Sequence, residues 1–304
     1  MVHNFTIMPT RKYLIAIATY KRPHELQRLL DSLERTVDLE LADVAVVDND
    51  PNGSAEETVR SHTMSCSYVV EHVSGIASAR NRGLDAFTEK YHAIIFVDDD
   101  EWMDTEWFDT ITKYADRTGA DVVQGSVKTL LPDDAPGWIL KGGFYQRPIP
   151  RTGTVRTTAA TNNVLLMRKA WVNAGSPRFD SAFSETGGSD WDLFWTIHRA
   201  GAVIIYCAEA IAYEEVPSSR LSWKWLNRRY RRLGLVTLMS LRKHGEPLSP
   251  FVFRVAAASA VGVAQLLVDV LAGKGIRALP IERILRAVGV AQGFAGRGIY
   301  EYRR

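Results

Sequence analysis

Carboxylates placed after a buried strand are the residues in this chain most able to do chemistry. From His92 to Glu101, an apolar, strand-forming run over Ala93 to Val97 ends abruptly in Asp98, Asp99, Asp100 and Glu101. A buried strand delivers these like charges to one edge of a sheet, which is costly unless positive charge meets them. A divalent cation held by alternate carboxylates, with diphosphate oxygens completing its shell, meets that need, because Mg²⁺ and Mn²⁺ prefer oxygen ligands and keep positions open for substrate. A solvated acidic loop would read the same way in isolation. Three further clusters carry candidate chemistry: Asp48-Asn49-Asp50 in a turn, Asp190 and Asp192 after Gly187-Gly188-Ser189, and Arg228, Arg229, Arg231 and Arg232 around Tyr230. Arginines beside tyrosine and tryptophan suit phosphate, since a guanidinium makes paired hydrogen bonds to its oxygens; a solvated surface helix is the plain competitor.

The elements that must position these groups alternate between strand and helix. Lys12 to Thr19 is an apolar strand leading into Tyr20-Lys21-Arg22-Pro23, and a helix starting at the proline sets Leu26, Leu29, Leu30 and Leu33 on one face. Asp43 to Val47 is a second strand that ends in the Asp48 turn, and Tyr68 to Val70 a short third. Ile76 to Phe87 is a helix with Arg80 near its middle; the Ala93 strand, a helix over Asp104 to Tyr114 and a strand over Asp121 to Val127 follow. The alternation predicts an α/β fold, a mostly parallel, doubly wound sheet that binds ligands at the carboxyl ends of its strands. Asp48 and Asp98 to Asp100 fall at such ends.

Leu130 to Thr158 is rich in proline and glycine and is expected to be an irregular connection of the kind that carries binding loops. Trp138 within it is the ring best suited to stack on a sugar. Ala159 to Met167 resumes as a strand and Arg168 to Ala174 as a short helix. Asp190 opens another helix, where Ser189 or Asp190 can cap and where a helix N-terminus favours an ionised carboxylate. For Asp192 capping and binding both stay open, and His198 reads as a packed histidine. Val203 to Cys207 is the last clear strand, followed by Ala210 to Tyr213 and then by an amphipathic helix over Ser222 to Leu241 and two more over Pro250 to Gly273 and Leu279 to Tyr300.

With 304 residues, 46% of them hydrophobic, the chain suits one large domain plus a helical appendage. A net charge of +2 makes no case for nucleic acid, whereas the arginine-rich stretch from Arg220 onward suggests an anionic partner. Cys66 and Cys207 lie too far apart to suggest a disulfide framework or a zinc site. Met1 to Lys12 lacks the basic-then-apolar order of a signal peptide, so a cytoplasmic location is expected. Val255 to Val268 is uncharged between Arg254 and Asp269, short for a bilayer span of about 20 residues, and is read as a buried or, preferably, an interfacial helix.

The order of these motifs resembles family 2 glycosyltransferases with the GT-A fold. Ala18 to Pro23 looks like that family's first strand end, Val46 to Asp50 like its second, Ala79 to Gly83 like its central helix and Asp98-Asp99-Asp100 like its DxD signature. Gly187 to Asp192 falls where the family has its glutamate-aspartate pair, with Ser189 in place of the glutamate. Glu101 and the stretch Val216 to Leu221 before an arginine-rich helix are similar to bacterial exopolysaccharide enzymes of the succinoglycan type.

That resemblance implies an inverting transferase using a nucleoside-diphosphate sugar, a UDP-sugar by preference, a glycan or lipid-linked acceptor, and Mn²⁺ or Mg²⁺. It implies donor contacts from Thr19, Tyr20, Arg22, Asp48, Asp50, Arg80, Asp98, Asp99, Arg228, Arg229 and Arg232, and a metal on Asp98 and Asp100. Asp190 would be the catalytic base, and Trp138, Gly188, Trp191 and Asp192 would meet the acceptor. Glu214 or Glu215 stands near where many members supply a metal-ligating histidine. It implies a catalytic domain over 1–220, with a nucleotide-sugar half at about 12–128 and an acceptor half at about 129–220. The helical region 221–304 is then expected to contact another subunit or the inner face of the cell membrane. A nucleotidyltransferase is the alternative enzyme, although Tyr20 to Leu26 lacks the glycines of a triphosphate loop; a binding module that has lost catalysis is the other.

Overall fold

A computed structural model describes residues 12–184 and 186–299. Met1 to Arg11, Glu185 and Tyr300, at the end of the last expected helix, lie outside the described residues. Strand β1 (Tyr13–Thr19) is buried along its length, and Pro23 starts helix α1 (Pro23–Thr36), which buries Leu26, Leu29, Leu30 and Leu33 at helical spacing. Strand β2 (Ala42–Asp48), helix α2 (Glu56–Ser61), strand β3 (Cys66–Val70), helix α3 (Ile76–Asp85) and strand β4 (Ala93–Asp98) continue the alternation. Pairing is parallel from β1 to β2, β2 to β3 and β1 to β4, in a register that sets Thr19 beside Asp48 and Ala18 beside Asp98. Three adjacent strands thus end together, and their polar termini share one edge.

Past this point the topology turns mixed. Strand β5 (Glu101–Met103), helix α4 (Trp107–Thr118), strand β6 (Val122–Leu130), helix α5 (Gly137–Gly142), strand β7 (Val155–Arg156) and strand β8 (Val164–Met167) follow, so the expected irregular connection contains a six-residue helix and a two-residue strand. The sheet order is β3-β2-β1-β4-β8-β6-β9-β5, with β7 beside β9 (Ile204–Glu215). Strand β8 is antiparallel to both β4 and β6, so it inserts between two strands that themselves run the same way. Asn163, fully buried just before β8, ties this insertion: its amide donates to the Ser126 and Ala210 carbonyls, both at 2.8 Å, and its side-chain oxygen accepts from the Trp107 indole at 2.7 Å. The strand expected over Val203 to Cys207 continues through Ala210 to Tyr213 as one longer β9.

Helix α6 (Arg168–Asn173), α7 (Ser189–Arg199), α8 (Trp223–Lys243), α9 (Leu248–Leu271) and α10 (Ala278–Phe294) complete the chain. The chain divides into two compact units, one of Met1–Ser126, Pro150–Arg178 and Phe194–Ala212, the other of Val127–Ile149, Phe179–Leu193 and Tyr213–Arg304. Residues 179–193 and 213–220 therefore group with the C-terminal helices. In this second unit Ile139, Phe144, Leu226, Tyr230 and Ile281 form a core.

Helices α8 and α10 approach through glycine. A Cβ on Gly289 would lie 1.8 Å from the Arg231 carbonyl oxygen, and one on Gly234 2.1 Å from that of Arg286. Backbone must move to relieve either clash, so Gly289→Ala is expected to cost at least the ~1–3 kcal/mol typical of overpacking. Thermal unfolding checks this; an unchanged melting temperature would show that the two helices separate without penalty.

Helix α9 lies two residues ahead of the expected Pro250 to Gly273 and has the same length. It is 24 residues long, among the described residues the one helix long and apolar enough to cross a membrane by length and composition. Of its residues only Gly262 and Asp269 are buried, which removes the reading of a buried core helix. Arg254 and Asp269 lie inside the helix, so the uncharged run between them is shorter than the helix itself.

Candidate active site

In the first unit the strand termini form a network. The Thr19 hydroxyl donates to Asp99 Oδ2 at 2.8 Å, and Arg22 Nη1 reaches both Asp99 Oδ1 and Asp100 Oδ2 at 2.9 Å. From α3, Arg80 Nη2 donates to Asp98 Oδ1 at 3.1 Å. Glu101 is almost fully buried, and its Oε2 accepts from the Asp98 amide at 3.2 Å, closing the turn between β4 and β5. This is not a solvated acidic loop: Asp99 is 5% exposed. The three aspartates also divide by direction. Asp99 faces inward, whereas the Asp98 and Asp100 side chains keep 38% and 19% of their surface open.

Burial, partly offset by Arg22, pushes the Asp99 carboxyl up to about 6. Because this value lies above that of an unfolded aspartate, its contribution to stability is complete below about pH 4 and is lost as pH rises through about 6. A shift of this size corresponds to on the order of 3 kcal/mol. Chelator-treated protein should therefore lose stability between pH 4 and 7 by this route, and Asp99→Asn should flatten the loss in denaturant titrations at stepped pH. An equally steep profile in the variant would assign the loss elsewhere.

Asp48 is taken up by its own turn. Its carboxylate is fully buried and accepts from the Asp50 amide at 2.9 Å, the Ala55 amide at 2.7 Å and the Tyr68 hydroxyl at 2.9 Å. Burial first, and the neighbouring Asp48 second, raise the Tyr68 phenol well above its ordinary range. Asp50, 3% exposed, accepts from the Asn52 amide at 3.2 Å. Asn49 spans the turn, its amide donating to the Glu71 and Val73 carbonyls and its oxygen accepting from the Gly75 amide at 2.8 Å. Half-buried Tyr20 follows Thr19, with Lys21 Nζ 5.2 Å from its ring centroid.

The second unit holds the other cluster. Gly187 and Gly188 have φ of 74° and 99°, values that favour glycine, and a Cβ on Gly188 would lie 2.2 Å from Val236 Cγ1, so the loop before α7 lies tight against α8. Half-buried Asp190 stands in the first turn of α7, its Oδ1 accepting from the Trp191 amide at 2.8 Å. Asp192 is 2% exposed, and α8's end secures it: Lys243 Nζ donates to Asp192 Oδ2 at 2.6 Å, and His244 Nε2 lies 2.8 Å from Asp192 Oδ1. Lys243 also reaches Asp180 Oδ2 at 2.6 Å. Burial alone would lower the Lys243 pKa, but the bonds to Asp180 and Asp192 outweigh it and raise it. Farther along α8, Arg232 Nη1 donates to the Thr186 carbonyl at 2.9 Å. Lys243 and His244 were not legible as site residues; basic residues in a last helical turn signal only the helix dipole.

The arginines of α8 do not form one cluster. Arg229 lies 5.0 Å from the Trp225 ring centroid, whereas Arg228 lines a cavity at the start of α8. Trp138 is 41% exposed and packs edge-on against Phe144 at 5.2 Å and Trp223 at 6.2 Å. Glu214 is held by Thr129 at 2.6 Å and by two bonds from Arg147, at 2.7 and 2.8 Å. His198 Nδ1 donates to the Ala202 carbonyl at 3.1 Å, as suits a packed histidine.

The residues fit a hard divalent cation. Asp98 and Asp100 offer only oxygen, and among the described residues no three His, Cys, Asp or Glu side chains gather into an all-protein site. An ion that takes one or two carboxylates and completes its shell with substrate phosphate and water needs no more.

Residues 14–171 match the family described as Glycosyl transferase family 2. The chain is 35% identical over 240 residues to the succinoglycan biosynthesis protein ExoM of Rhizobium meliloti, covering 76% of each chain. Among solved structures, the mannosyltransferase PcManGT from Pyrobaculum calidifontis, in complex with GDP-Man and Mn²⁺, is similar with a TM-score of 0.65 at 16% identity, over 95% of this chain and 89% of that one. Residues 1–349 of S. aureus TarS, in complex with UDP-GlcNAc, are similar with a TM-score of 0.55 at 14% identity, over 96% and 93%. The α/β architecture with C-terminal helices is thus the GT-A fold of these structures.

Proposed function

The chain belongs to glycosyl transferase family 2 and is a glycosyltransferase, and on that premise we propose that it transfers a sugar from a UDP-sugar, with inversion, to a hydroxyl of a glycan or lipid-linked acceptor during exopolysaccharide assembly. The observation that carries this reading is the network of Thr19, Arg22, Asp98, Asp99 and Asp100 at the carboxyl ends of β1 and β4. The similar succinoglycan protein supports the polymer, and the UDP-GlcNAc complex of TarS supports the donor. Family membership also replaces the nucleotidyltransferase alternative.

Each group has a task in a single displacement. Asp98 and Asp100 would hold Mn²⁺ or Mg²⁺, which when bound supplies positive charge to the leaving diphosphate. Asp99 and Thr19 fix the turn that presents those two carboxylates, and Arg22 and Arg80 offer cationic donors beside them. Asp190 accepts the acceptor's proton as the new bond forms. Trp138, Gly188 and Trp191 are assigned to the acceptor, and Asp192 holds the start of α7. The test is a panel of UDP-, GDP- and dTDP-sugars, read by nucleotide release with and without Mn²⁺. Release from one donor, stimulated by metal, supports the reading; no release and no nucleotide binding across the panel would sink it.

Helix α9 supports attachment to an anionic bilayer at the cytoplasmic face. Phe253, Leu267, Val268 and Leu271 are exposed, and basic residues stand near both ends, Arg254 in one and Lys274 and Arg277 beyond the other. Asp269 is buried and Glu282 is paired with Arg286 at 3.1 Å. Two copies joined through α9 in either direction would set basic ends on basic ends, whereas anionic headgroups neutralise them. Flotation with phosphatidylglycerol vesicles, lost in Phe253→Glu/Leu267→Glu, is expected. Absence of flotation together with a dimer in solution would replace the bilayer with a second copy.

A further inference from the structure

Helix α8 sorts its basic residues by phase. Trp225, Arg229 and Arg232 share one face, at i, i+4 and i+7, and serve the Trp225 stack and the Thr186 loop. Lys224, Arg228 and Arg231 repeat that spacing one residue earlier, about 100° round the helix, and line a cavity of about 630 Å³ with Ser219, Ser222 and Trp223, into which Trp225 also reaches from the neighbouring face. Arg231 is oriented by Gln292 at 2.9 Å and Asn227 at 3.1 Å. Lys224 and Arg228 form no ion pair with a described residue, and α8 contains no acidic side chain. Like charges at this spacing repel, so an anion bound there would relieve the repulsion.

The chemistry of the lining defines that anion. Arginine's planar fork and serine hydroxyls match phosphoryl oxygens, and lysine adds a point charge. Trp223, 43% exposed, supplies an apolar wall beside Trp138, with their ring centroids 6.2 Å apart. The volume falls in the ~300–1,000 Å³ range of small-ligand sites, more than inorganic phosphate fills. We propose that this cavity binds a phosphoryl group other than the donor's, carried on a saccharide or lipid that rests against Trp223. Its use for an acceptor rests on the glycosyltransferase reading above; its binding of phosphoryl groups does not.

The test titrates the full chain with inorganic pyrophosphate and follows tryptophan emission, alone and with saturating UDP and Mn²⁺. A saturable change that persists with UDP present is expected, and Lys224→Met/Arg228→Met should weaken it at least tenfold; both side chains are exposed, so the variant keeps its fold, checked by its melting temperature. Competition with glucose 1-phosphate and with phosphatidylglycerol vesicles then identifies the carrier, saccharide or lipid headgroup, by which of them displaces pyrophosphate. Full competition by UDP, unchanged affinity in the double variant, or displacement by neither competitor would overturn the proposal. If the chain binds no UDP, the donor reading fails while the pyrophosphate titration and the double variant still decide the cavity.

Discussion

Asp190→Asn is expected to reduce glycosyl transfer by about 10² to 10⁴, the usual worth of a positioned general base, while leaving donor binding intact. Asparagine keeps the shape and can still accept from the Trp191 amide, as Asp190 Oδ1 does at 2.8 Å, so α7 should start unchanged. What is lost is the lone basic oxygen that takes the acceptor's proton. The loop that carries it is fixed from several sides, by Gly188 pressed against Val236, by Arg232 on the Thr186 carbonyl and by Asp192 between Lys243 and His244. Asp192→Asn therefore serves as a control. It should perturb transfer through the position of the loop and lower the melting temperature, because one partner of a buried charged pair is removed. Asp190→Asn should leave stability unchanged. Near wild-type transfer by a folded Asp190→Asn protein would remove Asp190 as the base.

Asp100→Ala is the second large effect, on binding rather than on proton transfer. Metal-dependent affinity for a nucleoside diphosphate should fall by more than the ~10–100-fold that loss of a group merely supporting a metal ligand causes. Asp99 cannot substitute, since it is buried and engaged by Thr19 and Arg22. Arg22, released from Asp100, would remain on Asp99, so the variant should stay folded. Calorimetry with UDP, with and without Mn²⁺, reads the effect directly. Unchanged affinity without metal dependence would leave the aspartates as structural groups of the β4–β5 turn.

Much of this is legible in the sequence. Leucines at helical spacing after Pro23 and apolar runs ending in Asp48 and Asp98 mark α1, β2 and β4, because each depends on neighbours a few positions away. The same local logic placed carboxylates at strand ends, and it foresaw the α8 helix and its basic character. It failed where the decisive partner is remote. β8 entering the sheet between β4 and β6, and the three-residue β5, follow from pairings between distant strands that a short apolar run does not encode.

By itself, the sequence determined the strand-helix alternation, the order of the acidic motifs and the abrupt change from apolar to charged at Asp98. Only the tertiary structure decided how those charges are used. Asp99 turns inward to Thr19 while Asp98 and Asp100 stay accessible; Asp192 becomes a buried partner of Lys243 and His244; and Arg228 parts from Arg229 and Arg232. The physical reason is one of range. Hydrophobic periodicity is a property of adjacent residues, whereas the environment of a charge is set by whatever the fold brings within a few ångströms, here from 80 positions away for Thr19 and Asp99 and 51 for Asp192 and Lys243.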